Sequence, residues 1–262
     1  MTQILLREDS GGIATLTLNR PEAMNALSDD LLAALRDEFA RLAEDAATRV
    51  VILRGAGKVF SAGHDLREMQ SARQSEDRGR AYFADLFSRC AEVMQAIPAL
   101  PQPVIAEVHG IATAAGCQLV ASCDMAVAAE GTRFGVNGVN LGLFCSTPMV
   151  ALTRSIPRKA AFEMLTTGEF IDAARARELG LVNRVVSAED LSAETARLAR
   201  KVADKLPAAV RLGKRVFHDQ SQLGLGAAYA QAGAAMTTNI LWRDTDEGIS
   251  AFLEKRAPDW QG

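Results

Sequence analysis

Two short segments join glycine to residues able to do chemistry: KVFSAGHDL (58–66) and HGIATAAGCQ (109–118). Each follows an apolar run and puts small residues at a strand-to-helix turn, where backbone can approach a ligand closely. The second opens a helix whose first amides lack intrahelical acceptors and sit at the positive end of the helix dipole. Two such turns on neighbouring strands could aim two N–H groups at one oxygen, which stabilises a developing oxyanion. The same spacing also suits a pair of ordinary strand-to-helix turns without a chemical role. Spacing alone leaves both readings open.

His64 lies in the first turn and titrates in a useful range. Its ring either serves the site or points away, leaving only its amide there. His109 reads as a residue shaping the end of a strand, and His218 as an exposed residue of a polar helix. Cys145, between apolar neighbours, reads as an inert buried thiol. Asn140 could orient a water or a loop, and Glu68 reads as a solvated helix residue.

The elements that must position these residues follow from periodicity. Residues 13–18 alternate as a strand after Gly11-Gly12, and Ser28 caps a helix marked by Leu31, Leu32, Leu35, Phe39 and Leu42. The apolar run Val50-Val51-Ile52-Leu53 ends at Gly55, completing a βαβ unit and implying a parallel sheet. A strand at 104–106, a helix from Gly110 to Ser122 and a strand at 125–128 repeat the pattern. Helices are expected over 158–165, 173–179, 188–205 and 207–220, then along an Ala-rich stretch to Leu241. Segment 70–80 is the most polar. Residues 134–153 carry no charge, but three glycines, two asparagines and a proline make them a strand and buried loops, not a membrane span.

Composition removes other classes. The 262 residues are 48% hydrophobic and 23% charged, ordinary for a soluble globular chain. A net charge of −3 gives no overall pull toward nucleic acid or anionic membrane. The four cysteines form no CxxC pair, which argues against a disulfide framework or zinc site. MTQILLREDSGG reads as neither signal nor transit peptide, so a cytoplasmic location is expected.

The ordered motifs NRPEAMNAL (19–27), FSAGHDL (60–66), HGIATAAGCQL (109–119), TRFGVNGVNLGL (132–143), GLVNRVV (180–186) and AFLEKRAPDW (251–260) resemble the crotonase superfamily, the enoyl-CoA hydratase/isomerase family. The resemblance runs through nearly the whole chain. It implies an α/β crotonase (ClpP-like) fold, with a ββα-repeat spiral core over residues 1–195. A helical region over 196–262 would serve oligomerisation into homotrimers, or dimers of trimers, and complete the coenzyme A site. It implies a coenzyme A thioester as substrate or ligand, with no permanent cofactor, metal, nucleic-acid partner or membrane span. By position, the thioester carbonyl would sit between the amides of His64 and Ala115. Ala62, Asp65 and Leu66 would border adenine and pantetheine. Ala23 and Met24 would line the entrance, where many members carry a preceding basic residue and this chain has Glu22. Arg67 would contact phosphate, and Phe252 and Lys255 would reach the coenzyme A of a neighbouring subunit.

One departure bears on the reaction. Hydration in this family depends on two glutamates that hold a water and act as base and acid. Gln118 and Gly138 occupy those positions. The expected protein therefore stabilises a thioester enolate without being an efficient hydratase, and restoring both glutamates is expected to raise hydration. Two alternatives stay open. One is a catalytically silent acyl-CoA-binding protein. The other is a (methyl)malonyl-CoA decarboxylase-like enzyme using His64, although Cys145 stands where those enzymes carry a tyrosine.

Overall fold

A computed structural model describes residues 3–261. In chain order the elements begin with β1 (Leu5–Ser10), β2 (Ile13–Leu18), α1 (Asp29–Glu44), β3 (Val50–Gly55), α2 (Leu66–Ala72) and α3 (Arg80–Ala99). They continue with β4 (Val104–Val108), β5 (Ile111–Thr113), α4 (Ala115–Ser122), β6 (Met125–Ala129), β7 (Arg133–Gly135) and α5 (Ser146–Ser155). Next come α6 (Arg158–Thr167), β8 (Ile171–Asp172), α7 (Ala173–Leu179) and β9 (Arg184–Val186). The chain closes with α8 (Leu191–Ala203), α9 (Pro207–Gln220), α10 (Leu225–Ile240) and α11 (Arg243–Glu254).

Six strands form one sheet in the order β1-β2-β3-β4-β6-β9, antiparallel only at β1–β2. A second sheet orders β5-β7-β8. The uninterrupted apolar run of β3 is explained by burial on both faces. Val51 and Leu53 join Leu16, Leu31 and Phe39 in one core, whereas Val50 and Ile52 join Ile105, Val127 and Leu198 in another beneath α8. The capping expected at Ser28 is present, its hydroxyl accepting the Leu31 amide at 3.3 Å.

One expectation needs correction, and one helix was not anticipated. Residues 134–153 are not buried loops: a 3-10 turn (Asn137–Leu141) and α5 follow β7, and Leu141, Leu143 and Phe144 are exposed. The long polar-to-apolar segment 80–99 is a helix, α3, burying Leu86, Cys90, Val93 and Ile97 at helical spacing. The Ala-rich stretch is helical as expected, forming α10, which buries no residue. Residue 195, where the core and tail were divided, falls inside α8, and Leu191, Leu198 and Ala199 of that helix pack against the sheet. No helix among the described residues is long and apolar enough to cross a membrane.

Candidate functional site

The two glycine-bearing turns are laced together along their backbones. Phe60 donates to the carbonyl of His109 at 3.0 Å, Ser61 to that of Ile111 at 3.2 Å, and Thr113 to that of Ser61 at 3.1 Å. From the other side Leu27 donates to Gly63 at 2.8 Å and Ala62 to Met24 at 3.0 Å. The result is very close approach. Gly63 has φ +88°, and a Cβ there would stand 2.9 Å from Ala114 Cβ and 3.1 Å from the Ala115 nitrogen. Only glycine meets both the conformational and the steric demand.

Ala115 is the first residue of α4, so its N–H has no helical acceptor. Ala114 before it holds φ +50° and ψ −120°, a strained backbone for a residue with a side chain. A bond from its own amide to the Gly135 carbonyl at 2.9 Å pins it. Among the described residues neither the His64 nor the Ala115 amide meets an acceptor. Two free donors on abutting turns can serve one anionic oxygen.

The side chains around them are largely neutral. The His64 ring meets Phe87 edge-on, with centroids 5.8 Å apart, and its Nε2 is buried without a partner. Burial pushes its pKa down to about 4, against a weaker opposing pull from Asp29, so the imidazole is uncharged at neutral pH. Gln118 is 4% exposed and its Oε1 is likewise buried and unpartnered. At Gly138 a Cβ would lie 2.4 Å from the Leu143 carbonyl oxygen and 2.8 Å from Cys145 Sγ. A glutamate there would have to displace that loop, which corrects the expectation that two glutamates can simply be restored. Burial raises the pKa of the Cys145 thiol, in keeping with an inert sulfur.

Other residues are placed as follows. Asp65 caps α2 through the Arg67 amide at 3.0 Å and pairs with Arg20 at 3.2 Å, so its carboxylate fastens the turn. Ala23 is half-buried, while Met24, Leu66 and the Arg67 side chain are exposed beside the same turn. Asn140 donates to the Gly168 carbonyl at 3.4 Å and so orients a loop. His109 Nε2 meets the Gly57 carbonyl at 3.0 Å at the strand end, as expected. Phe252 lies on α11, lining a cleft with Leu206, Ile249 and Trp260, and Lys255 terminates that helix in a left-handed conformation.

Two expectations fail here. Glu68 is not simply solvated: it is half-buried, its Oε2 accepts the Asp29 amide at 2.9 Å, and desolvation raises its pKa. His218 is not free on the surface, because Nε2 lies 2.9 Å from Asp124 Oδ1. Two residues of the site escaped sequence reasoning altogether, Asn25 and Ser61, both fully buried between the turns. The only sequence signal for them was the polar residue set in each small-residue motif.

The mostly parallel sheet, with one glycine-bearing turn after β3 and the other after β5, is a crotonase fold, shared with solved enoyl-CoA hydratases. The chain belongs to the enoyl-CoA hydratase/isomerase family, whose model matches residues 8–262. It is 48% identical to the mitochondrial enoyl-CoA hydratase domain-containing protein 3 of Danio rerio, over 99% of this chain and 88% of that one. It is 36% identical to the 2,3-dehydroadipyl-CoA hydratase of Escherichia coli (strain K12), over 95% of each chain. Among solved structures, an enoyl-CoA hydratase of Mycobacterium smegmatis superposes with a TM-score of 0.95 at 54% identity, covering 100% of both chains. The cytoplasmic expectation is overturned by the first of these comparisons, because that relative is named as a mitochondrial protein.

Proposed function

We propose that this chain binds a coenzyme A thioester and polarises its carbonyl between the His64 and Ala115 amides. In a water-poor site such donors stabilise an enolate more as charge develops than in the ground state. The family and the thioester-acting relative named above support the substrate class. The reading that hydration is inefficient rests on one observation: the crowding at Gly138 by Leu143 O and Cys145 Sγ. Gln118 has no proton to exchange near neutral pH, so neither glutamate role has an heir. Loss of crotonyl-CoA absorbance, with binding followed by calorimetry, tests it. The expected result is binding with turnover well below the ~1–10³ s⁻¹ typical of enzymes. Turnover within that range would overturn the non-hydratase reading, and absence of binding would overturn both parts.

A second reading is favoured by the buried, unpartnered Nε2 of His64, which is suited to a polar group on the acyl chain. There the α-carbon–carboxylate bond of a (methyl)malonyl thioester breaks, carbon dioxide leaves, and the electron pair enters the amide-held enolate before water reprotonates it. Release of carbon dioxide, lost in His64→Ala, distinguishes it from simple binding. We also assign α9–α11 to self-association as a homotrimer or dimer of trimers. Leu225, Tyr229, Met236 and Leu241 are each more than 70% exposed there, an apolar surface that favours burial against another copy. In that assembly Phe252 and Lys255 would complete a neighbour's coenzyme A site, beside the Ala23, Met24, Ala62 and Leu66 rim. Light scattering reads the mass.

A further inference from the structure

Between the two turns lies a hydrogen-bonded unit that touches both. Asn25 is fully buried with φ +50° and spends its whole side chain on backbone. Its Oδ1 accepts the Arg20 amide at 3.0 Å, and its Nδ2 donates to Ala56 O and Val59 O, both at 2.8 Å. A left-handed asparagine held by three bonds fixes where its own carbonyl points. That carbonyl accepts the Ser61 hydroxyl at 2.9 Å. The hydrogen direction is thereby set, and a lone pair of the same hydroxyl accepts the Gly63 amide at 3.3 Å, one residue before His64.

The main chain of Ser61 faces the other way. Its N–H and C=O bind Ile111 and Thr113 at 3.2 and 3.1 Å. Its carbonyl also abuts α4, where a Cβ on Gly116 would come within 2.4 Å of it. One residue is thus tied by side chain to the turn that carries the His64 amide, and by backbone to the turn that carries the Ala115 amide.

We infer that Ser61, held by Asn25, is a positioning residue that fixes the two amides relative to one another. The inference rests on the two-amide reading above. Ser61 need not touch the ligand; it acts through the Ala62–Gly63 peptide, the plane before the one that carries the His64 N–H, while Leu27 N–H holds that next plane by the Gly63 carbonyl at 2.8 Å. Without the hydroxyl, Gly63 N–H loses its acceptor and the Ala62–Gly63 plane is free to tilt; with only the Leu27 bond left to hold Gly63, that tilt passes through the Gly63 dihedrals to the His64 amide, and hydrogen-bond strength depends steeply on such angles.

The test uses the coenzyme A thioester of 4-dimethylaminocinnamic acid, whose absorption moves to the red when its carbonyl is polarised. The wild-type chain should red-shift the bound probe. Ser61→Ala should bind it at saturation, with a Tm within a few degrees of wild type, and show a smaller red shift than the wild-type complex. Ser61→Cys, which keeps a weak donor and acceptor, should fall between the two, and it carries the test if the alanine variant fails to fold. A full wild-type shift in both variants overturns the positioning role while leaving the two-amide reading intact. A wild-type complex without any shift overturns the two-amide reading, and the positioning role with it.

Discussion

Gly138→Ala is the smallest perturbation that probes the space beside Gly138, where the family resemblance would place a second glutamate. The added methyl would sit 2.4 Å from Leu143 O and 2.8 Å from Cys145 Sγ. Bringing the first contact out to even 3.0 Å needs a shift of about 0.6 Å (3.0 less 2.4) in a backbone carbonyl. Leu143 cannot give way freely, because its amide is bonded to the Gly138 carbonyl at 3.0 Å. Cys145 is equally restrained as the residue that leads into α5. Overpacking of this kind costs about 1–3 kcal/mol. At about 2–4 °C per kcal/mol for a chain this size, Tm should fall by about 2–12 °C. Gly138→Glu should fall further, and adding it to Gln118→Glu should give no more crotonyl-CoA hydration than Gln118→Glu alone. Calorimetric unfolding and the absorbance assay measure the two effects. An alanine variant as stable as its parent, or a double variant hydrating ten times faster than Gln118→Glu, would refute the steric reasoning.

Two further predictions come from buried titratable groups. Burial holds His64 near pKa 4, below its ordinary 6.5, so the unfolded chain binds more protons between those values. The associated stability is complete above about pH 6.5 and drains away as pH falls toward 4. His64→Leu should flatten that part of the stability curve by up to about 3 kcal/mol relative to wild type, and parallel curves would sink the idea. Lys214 is buried, donating to Ile97 O, Gln102 O and Asp124 Oδ2 at 2.8, 2.9 and 2.6 Å. Lys214→Met strands those acceptors and should cost about 3–5 kcal/mol by urea unfolding. A loss under about 1 kcal/mol would mean that water or His218 replaces the ammonium.

How far the sequence spoke depended on the range of the forces involved. Local periodicity was legible: the period of 3.6 in α1 and the continuous run of β3 are imposed within a few residues. The glycines at the two turns were legible too, because a left-handed φ and close backbone approach select that residue locally. The strands β5, β7 and β8, of three, three and two residues, carry too few positions to show any period. Helix α3 was missed although Leu86, Cys90, Val93 and Ile97 keep helical spacing; Pro98 near its end reads as a breaker. Contacts between distant segments were invisible. Nothing in one dimension pairs His218 with Asp124, Glu68 with the Asp29 amide, or Leu143 O with the space beside Gly138.

The same distinction bears on the chemistry proposed for the site. The two donors are backbone N–H groups, so they survive almost any change of side chain that leaves the turns in place. Proton transfer is different, since it depends on single side chains of suitable pKa. Gln118 has none, Gly138 has no side chain, and His64 is held neutral by burial rather than poised near neutrality. On the proposed two-amide reading such a pocket stabilises negative charge on an oxygen, and none of these three residues is poised to move a proton at pH 7. The proposed reading therefore favours a reaction in which charge on that oxygen is the main barrier, with water carrying the protons. Breaking a bond to a carboxylate meets that condition, and adding water across a double bond with two carboxylic acids does not.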